Sequence, residues 1–540
     1  MQVRRIQVSE FRALRQVDLV FGADFDPQIF PLGSKNGGGK STLLQLVFIL
    51  LGCADHLGDS SSLSKLRYLS NLLTSFEHPA DQPKRHVATI TVELALTEGS
   101  PPERLAFEFE SLNDAFLTQT LGEDQGDASF SDLPLSSQKN LTREYLPRLR
   151  ALLEGLLTEN RDPARIADER RPPGSWRRWE MAWTEFVRLQ GHLRIPLQQR
   201  LSKQLQSFLR SPRSLHDSSP EELLSFVTEM LMALEEAERR LDESTERITH
   251  LLKAHGLLLL TTFHGSQGTP CVLVCRVQGR DSSDARALLR RAGKRTYMLG
   301  PTLQQYLFLP LDVRESLTHT DPQRAQNEPR QPEFVSSQRL TYLQALAKAE
   351  AELPGFHSYD WLSIEPLIEL FRQARDRDFA MAVANGQYGD HYTRILADVN
   401  ALLVGKRVRP EGDLSGLSFT VERRDGTESE IRLEDLSRGE LKRLMIYAWL
   451  KTKGSGAVVL MDEPEVSLHP DWQLHFTEDL HQWAPDNQYI LATHSYELCQ
   501  ALTPGHVREL DPPPGPRRTS AGSSGGRGLR HDQRHVRAAR

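Results

Sequence analysis

The chain has 540 residues, 39% hydrophobic and 26% charged, with a formal net charge of −6. This composition suits a globular protein of more than one domain, and its acidic balance means that any contact with nucleic acid needs a local basic patch. No apolar run is long enough to span a bilayer, which excludes a membrane transporter, and four cysteines without a Cys-x-x-Cys pair predict a reducing cytoplasm and no zinc site.

The first motif in chain order is a glycine-rich phosphate loop, SKNGGGKST at residues 34–42. Backbone N–H groups freed by glycines, together with the positive end of the following helix, bind phosphates. We expect Lys40 to reach the β- and γ-phosphates of a nucleotide and Ser41 to ligate Mg²⁺. Ser34 stands where the pattern has glycine, a departure that removes no phosphate ligand. The predicted nucleotide-binding residues of this loop are Ser34, Asn36, Gly37, Gly38, Gly39, Lys40, Ser41 and Thr42.

The middle of the chain is much longer than one nucleotide-binding domain requires. Alternating apolar residues at about 86–110 predict antiparallel strands of a first lobe, and Ser219, Pro220 and Glu222 then predict the start of a helix. An apolar stripe at 3–4 spacing follows, at Val227, Met230, Leu234, Ala237, Leu241, Ser244, Ile248 and Leu251. The stripe predicts a short antiparallel coiled-coil arm, and an ordinary helical insertion packed on the head is equally open.

Three further segments are candidates for DNA binding or for a separate domain. Tryptophans and arginines share a helical face at 170–186, a pattern that suits nucleic acid but is more often core. From residue 257 the pattern predicts a small α+β module, then helices to about 404, without a nuclease-like acidic cluster. The last residues, 511–540, contain seven arginines and two aspartates, and we expect a disordered basic tail.

Near the C-terminal end, an apolar strand terminates in two acids, VVLMDE at 458–463. A buried parallel strand delivers such side chains to the carboxyl edge of its sheet. We expect Asp462 to hold Mg²⁺ and Glu463 to act as the general base that orients the attacking water. His494, at the end of the next predicted strand, is the expected sensor of the γ-phosphate. The predicted catalytic residues are therefore Glu463, His494 and Lys40, with Ser41 and Asp462 as metal ligands.

Taken together, the motifs resemble those of the ABC-type ATPases of the SMC, RecF and OLD group. The resemblance lies in the opening strands with Phe11 and Arg12, in LSRGELKRL at 436–444 and in DEPEVSLHPDWQ at 462–473. It covers about residues 1–55 and 415–510, and no Toprim nuclease pattern follows. It implies that Ser437 and Gly439 contact the γ-phosphate of ATP held by a second subunit. It also implies that Ser467, Leu468 and His469 lie where two heads meet. The glutamine of the family's glutamine-bearing loop is not placed, and Gln119 is one of several candidates.

The predicted fold class is therefore α/β, an ABC-type P-loop NTPase head built from N- and C-terminal lobes, with a helical insertion and a small α+β insertion. The predicted divisions are an N-terminal lobe at 1–115, a helical arm at 116–256, the second insertion at 257–405, a C-terminal lobe at 406–510 and the tail at 511–540.

ATP and Mg²⁺ are the expected substrate and cofactor, and hydrolysis is expected to drive a motion of an ATP-bound homodimer. One use is the cytoplasmic sensor ATPase of a bacterial anti-phage or restriction-type system, acting with a separate nuclease or toxin subunit. The alternative is a DNA-binding clamp in repair or recombination. A scaffold that binds nucleotide without turnover is disfavoured, because Lys40 and Glu463 are both present.

Overall fold

The computed structural model describes residues 1–34, 37–56, 72–73, 76–96, 100–121, 130, 150–151, 154, 220–265, 268–301, 353–359, 364–423 and 427–510. In chain order the described strands are β1 Gln2–Phe11, β2 Leu14–Val20, β3 Ile29–Gly33, β4 Lys84–Ala95, β5 Pro102–Asn113, β6 Leu258–His264, β7 Pro270–Val277, β8 Thr296–Gly300, β9 Phe356–Ser358, β10 Lys406–Pro410, β11 Leu417–Glu422, β12 Glu428–Ile431, β13 Val458–Asp462, β14 Gln488–Ala492 and β15 Arg508–Glu509. The described helices are α1 Lys40–Gly52, α2 Asp114–Leu121, α3 Pro220–Ala254, α4 Ser282–Gly293, α5 Glu365–Asn385, α6 His391–Ala401, α7 Arg438–Lys453, α8 Pro470–Trp483 and α9 Tyr496–Gln500.

A parallel sheet in the order β15-β3-β14-β13-β8-β9 forms the centre of the fold. Its strands are covered on both faces, as their continuous apolar sequences require. Leu460 and Ile490 point into a core shared with α1, α4 and the N-terminal strands. Met461 and Leu491 point to the opposite face, into a core shared with α5, α7 and α8. The α/β fold class predicted from the sequence is confirmed.

A second sheet is antiparallel, in the order β2-β1-β4-β5-β7-β6, and it packs over α1. The segment from residue 257, predicted to be a separate module, instead contributes its strands to the two large sheets. β7 pairs with β5, and β8 pairs with β13. A short antiparallel sheet, β10-β11-β12, precedes α7.

The helix predicted to begin at Pro220 is confirmed as α3, which runs to Ala254. Near its C-terminal end, Ile248 and Leu252 are buried against Leu112 of β5 and Val272 of β7. The helix is therefore anchored on the antiparallel sheet at this end. The aromatic–arginine face at 170–186 and the basic tail at 511–540 lie outside the described residues. Within those residues, no helix is both long and apolar enough to cross a membrane.

Candidate nucleotide site

The phosphate loop connects β3, which ends at Gly33, with α1, which begins at Lys40. Gly37 and Gly39 have φ angles of 80° and 90°, a left-handed conformation that glycine adopts at little cost. A Cβ at Gly39 would also lie 2.7 Å from the Leu14 side chain. The glycines therefore allow both the turn of the loop and its close approach to β2. Asn36, predicted to bind nucleotide, lies outside the described residues.

Lys40 is 6% exposed, and its ammonium group contacts the opposite end of the loop. Its Nζ donates to the Ser34 carbonyl at 3.3 Å and to Ser34 Oγ at 3.2 Å. The serine that replaces the expected glycine thus supplies two oxygen ligands to the lysine. Thr42 follows Ser41 in the first turn of α1, where the helix N-terminus favours an anion.

Ser41 and Asp462, which are 421 residues apart in the chain, are joined by a hydrogen bond. Ser41 Oγ donates to Asp462 Oδ1 at 2.8 Å, and Asp462 is 1% exposed at the end of β13. This pairing is possible because β3, β14 and β13 are neighbours in one parallel sheet, so that their carboxyl ends share an edge. A hydroxyl and a carboxylate are hard oxygen ligands of the kind that Mg²⁺ takes, and the pair therefore fits the predicted metal.

Glu463 follows directly and has a φ angle of 49°, which for a residue with a side chain is a strained backbone conformation. Two contacts fix this backbone. The Glu463 N–H donates to the Ala492 carbonyl at 2.8 Å, and the Glu463 carbonyl accepts from Lys442 Nζ at 3.1 Å. The carboxylate is half-buried at the same sheet edge as Asp462.

His494 lies two residues beyond the end of β14, and its side chain is exposed. Its backbone N–H donates to Glu465 Oε1 at 2.7 Å. Glu465 and Lys40 both lie close enough to the Cys499 thiol to affect its pKa. Burial is the main cause that raises the pKa of Cys499, the negative charge of Glu465 raises it further, and Lys40 acts in the opposite direction.

The segment that resembles the ABC signature begins α7, with Ser437 as the N-cap. Ser437 Oγ accepts from the Glu440 N–H, and the Glu440 carboxylate accepts from the Ser437 N–H at 2.8 Å, which forms a capping box. Glu440 is 2% exposed and also pairs with Lys406 at 2.7 Å. Burial alone would raise the pKa of Glu440, but the hydrogen bonds from Lys406 and Ser437 lower it below the ordinary value.

Gly439 lies against the loop that follows the acidic pair. A Cβ at this position would be 2.8 Å from the Ser467 carbonyl oxygen and 2.8 Å from the Trp472 ring. Ser467 itself has a φ angle of 70°. The signature segment and the Ser467–His469 loop of one chain therefore form a continuous surface, on which Ser467 and His469 are exposed and Leu468 is buried.

Sequence reasoning missed several residues that organise this site. Lys442, 5% exposed, donates to the carbonyls of Glu463 and Val466, and its ammonium lies 4.1 Å from the Tyr359 ring centroid. Neither Lys442 nor Lys406 belongs to a motif that would indicate its contacts. Glu465 and Gln473 lie inside the conspicuous DEPEVSLHPDWQ segment but were given no role. Gln119, one candidate for the glutamine-bearing loop, is exposed on α2.

Comparison with known families and structures adds to this geometry. Residues 311–500 match a family model described as "AAA domain, putative AbiEii toxin, Type IV TA system". No curated protein sequence matches the chain. The central parallel sheet, the phosphate loop and the acidic strand end are the elements of a P-loop NTPase fold. With the family match, residues 311–500 of the chain are similar to an AAA domain.

Similar solved structures include three SMC heads. The SMC head domain from Thermotoga maritima is 15% identical over 26% of this chain and 44% of its own, with a TM-score of 0.17. The Pyrococcus furiosus Smc head domain with an extended coiled coil, bound to the C-terminal domain of ScpA, is 12% identical over 93% and 91%, with a TM-score of 0.28. The Pyrococcus yayanosii Smc head domain is 15% identical over 93% and 94%, with a TM-score of 0.29. The chain spans less than half the length of the Thermotoga chain that it matches.

Proposed function

We propose that the protein binds ATP with Mg²⁺ and hydrolyses it between two copies of the chain. The observation that carries this proposal is the hydrogen bond between Ser41 and Asp462, which joins the phosphate-loop helix to the acidic strand. The next residue, Glu463, has its backbone fixed on both sides. A rigidly held carboxylate beside a phosphate site suits a general base, because in-line attack requires a well-oriented water.

Each residue has a defined part in this reaction. Lys40 and the loop N–H groups stabilise negative charge on the β- and γ-phosphates, and Glu463 accepts the proton of the attacking water. His494 contacts the γ-phosphate through its exposed ring. Ser41 and Asp462 are the residues that would hold Mg²⁺, and the ion would neutralise charge on the phosphate oxygens.

The signature segment completes the site of a second copy in this proposal. Ser437 and Gly439 face the γ-phosphate of ATP bound to the partner, and the Ser467–His469 loop lies at the junction. The contact between Gly439 and Ser467 supports this arrangement, because it joins the two segments into one surface. Val466, which is 50% exposed beside them, adds an apolar group suited to an interface.

We further propose that the ATPase is the cytoplasmic sensor of a bacterial anti-phage or restriction-type system, and that it acts on a separate nuclease or toxin subunit. The matched family is described by a toxin and a toxin–antitoxin system, which supports a defence context. The competing use is a DNA clamp in repair, favoured by the arginine-rich segments at 170–178 and 517–540. The divisions at 1–115, 116–256, 406–510 and 511–540 are part of the same proposal, whereas the described strands at 257–405 belong to the two large sheets.

Turnover with and without linear duplex DNA distinguishes the two uses. We expect wild-type protein to hydrolyse ATP, Glu463→Gln to bind ATP with turnover reduced roughly 100-fold or more, and DNA to leave the wild-type rate unchanged. Several-fold stimulation by DNA would favour the clamp. Turnover by Glu463→Gln equal to wild type would contradict the assigned general base.

A further inference from the structure

Two side chains of the DEPEVSLHPDWQ segment have contacts that the proposed reaction leaves unexplained. Glu465 lies in the loop between β13 and α8 and is 9% exposed. Its Oε1 accepts the backbone N–H of His494 at 2.7 Å. Its Oε2 is buried and has no hydrogen-bond partner in the part of the chain that the structure describes. A buried carboxylate is costly, so a role beyond packing is expected for it.

Gln473, in the first turn of α8, makes the second set of contacts. Its Nε2 donates to the Leu468 carbonyl at 2.9 Å, and its Oε1 accepts from Ser495 Oγ at 2.7 Å. Ser495 Oγ in turn caps α9 by accepting the Leu498 N–H at 3.0 Å. One amide side chain thus joins the Ser467–His469 loop to the residue that follows His494.

The two side chains restrain His494 from both sides. Glu465 fixes the N–H of His494 itself, and Gln473 fixes its neighbour Ser495, so the imidazole keeps little freedom beyond its own rotamers. Gln473 also contacts the Leu468 carbonyl, next to the surface proposed to meet the second copy, and Glu465 lies in the same loop after β13. Hydrogen bonds therefore join that loop to the backbone of His494 and to its neighbour Ser495.

We propose that Glu465 and Gln473 are positioning residues, which hold His494 against the γ-phosphate and link it to the Ser467–His469 loop. This inference rests on the proposed ATP hydrolysis. Neither side chain contacts the phosphate itself, and both act through His494. This positioning role explains why the segment carries Glu465 and Gln473 in addition to Asp462 and Glu463.

A double-mutant cycle with His494→Ala tests the inference. We expect Glu465→Ala and Gln473→Ala each to lower kcat by roughly 10–100-fold, with the KM for ATP changed less than about threefold. In the His494→Ala background, neither substitution should lower kcat by more than about twofold, because the group they position is absent. Glu465→Gln should restore most of the activity, since its amide oxygen accepts the same N–H.

A matched control lies on the same helix. The exposed Gln482 donates to Glu478, and Gln482→Ala should leave kcat at the wild-type value. Wild-type kcat in both Glu465→Ala and Gln473→Ala would overturn the inference. So would an equal loss with and without His494, because the residues would then act independently of it. If Glu465→Ala fails to fold, Gln473→Ala with its His494→Ala partner decides the question.

Hydrogen exchange provides a readout that does not depend on turnover. In nucleotide-free protein, Glu465→Ala should speed exchange of the His494 amide at least roughly tenfold, while amides of β13 keep their wild-type rates. Unchanged exchange at His494 would show that Glu465 does not hold the loop. A wild-type protein that binds ATP without hydrolysing it would refute the proposed function, yet the exchange result would still decide whether Glu465 positions His494.

Discussion

At the scale of single residues, the site depends on close backbone approaches as much as on charged groups. Gly439 has no room for a methyl group, since the Ser467 carbonyl oxygen and the Trp472 ring both lie 2.8 Å from the place of its Cβ. A backbone carbonyl cannot move aside as a flexible side chain can. The signature glycine therefore has a structural reason within its own chain, separate from any contact with a second copy's ATP.

Gly439→Ala is accordingly predicted to destabilise the protein by about 1–3 kcal/mol, although alanine favours helix by about 1 kcal/mol. Thermal unfolding should show a lower Tm, and ATP turnover should fall because the Ser467 loop is displaced. Gly412→Ala serves as the control, because nothing lies within 4 Å of the Cβ that it would add. An unchanged Tm for Gly439→Ala would contradict the packing described for the signature segment.

The buried Glu440 carboxylate gives a pH-dependent prediction. Burial alone would raise the pKa of Glu440, but its hydrogen bonds outweigh this effect and lower the pKa in the folded protein. The ionised carboxylate therefore stabilises the fold fully when the pH is above the pKa that Glu440 has in the unfolded chain. This stabilisation is lost as the pH falls through the pKa of Glu440 in the folded protein. We expect Lys406→Met to lower the free energy of unfolding by about 1–3 kcal/mol at pH 7. The difference from wild type should shrink below about pH 4.

Urea unfolding at several pH values measures this effect. Arg409 lies on the same strand as Lys406 and pairs with Glu428, but the Arg409 and Glu428 side chains are 59% and 39% exposed. Arg409→Met should therefore change stability by less than about 1 kcal/mol at any pH. If Lys406→Met and Arg409→Met lowered the free energy of unfolding by the same amount, burial of Glu440 would not strengthen its ion pair with Lys406.

At the scale of secondary-structure elements, Lys442 connects α7 to the loop after β13. Its ammonium donates to the carbonyls of Glu463 and Val466, so a shift of α7 would move the backbone of the proposed general base. In the proposed dimer, this contact is a route by which a second copy bound at Ser437 would change the geometry of Asp462 and Glu463 in the same chain.

Lys442→Met should retain ATP binding but lower kcat by roughly tenfold or more, because the Glu463 carbonyl loses a charged donor and its strained backbone loses a restraint. Titration with a fluorescent ATP analogue and steady-state turnover separate the two quantities. Lys453→Met, at the exposed end of the same helix, is the control and should match wild type. If Lys442→Met lost both ATP binding and ATP turnover, the variant would be misfolded, and the loss of turnover could not be attributed to a displaced Glu463.

At the scale of the whole molecule, the accuracy of sequence prediction depended on the distance over which contacts form. The positions of Ser41, Asp462 and His494 at one sheet edge could be predicted, because each motif carries local signals and the parallel sheet brings strand ends together. β6 and β7 could not be assigned, because β7 pairs with β5 across more than 150 intervening residues. Lys406 and Lys442 gave no signal either, since a lysine in a sequence does not reveal whether it will be buried.

The whole-molecule claim is that two chains close on two ATP molecules, with the signature of each completing the site of the other. Association measured by light scattering after size-exclusion chromatography tests it most directly. Glu463→Gln, which should bind ATP without turning it over, is predicted to be monomeric alone and dimeric with ATP and Mg²⁺. Adding Ser437→Arg should abolish the dimer while fluorescent ATP still binds. A Glu463→Gln protein that binds ATP yet stays monomeric would contradict the account.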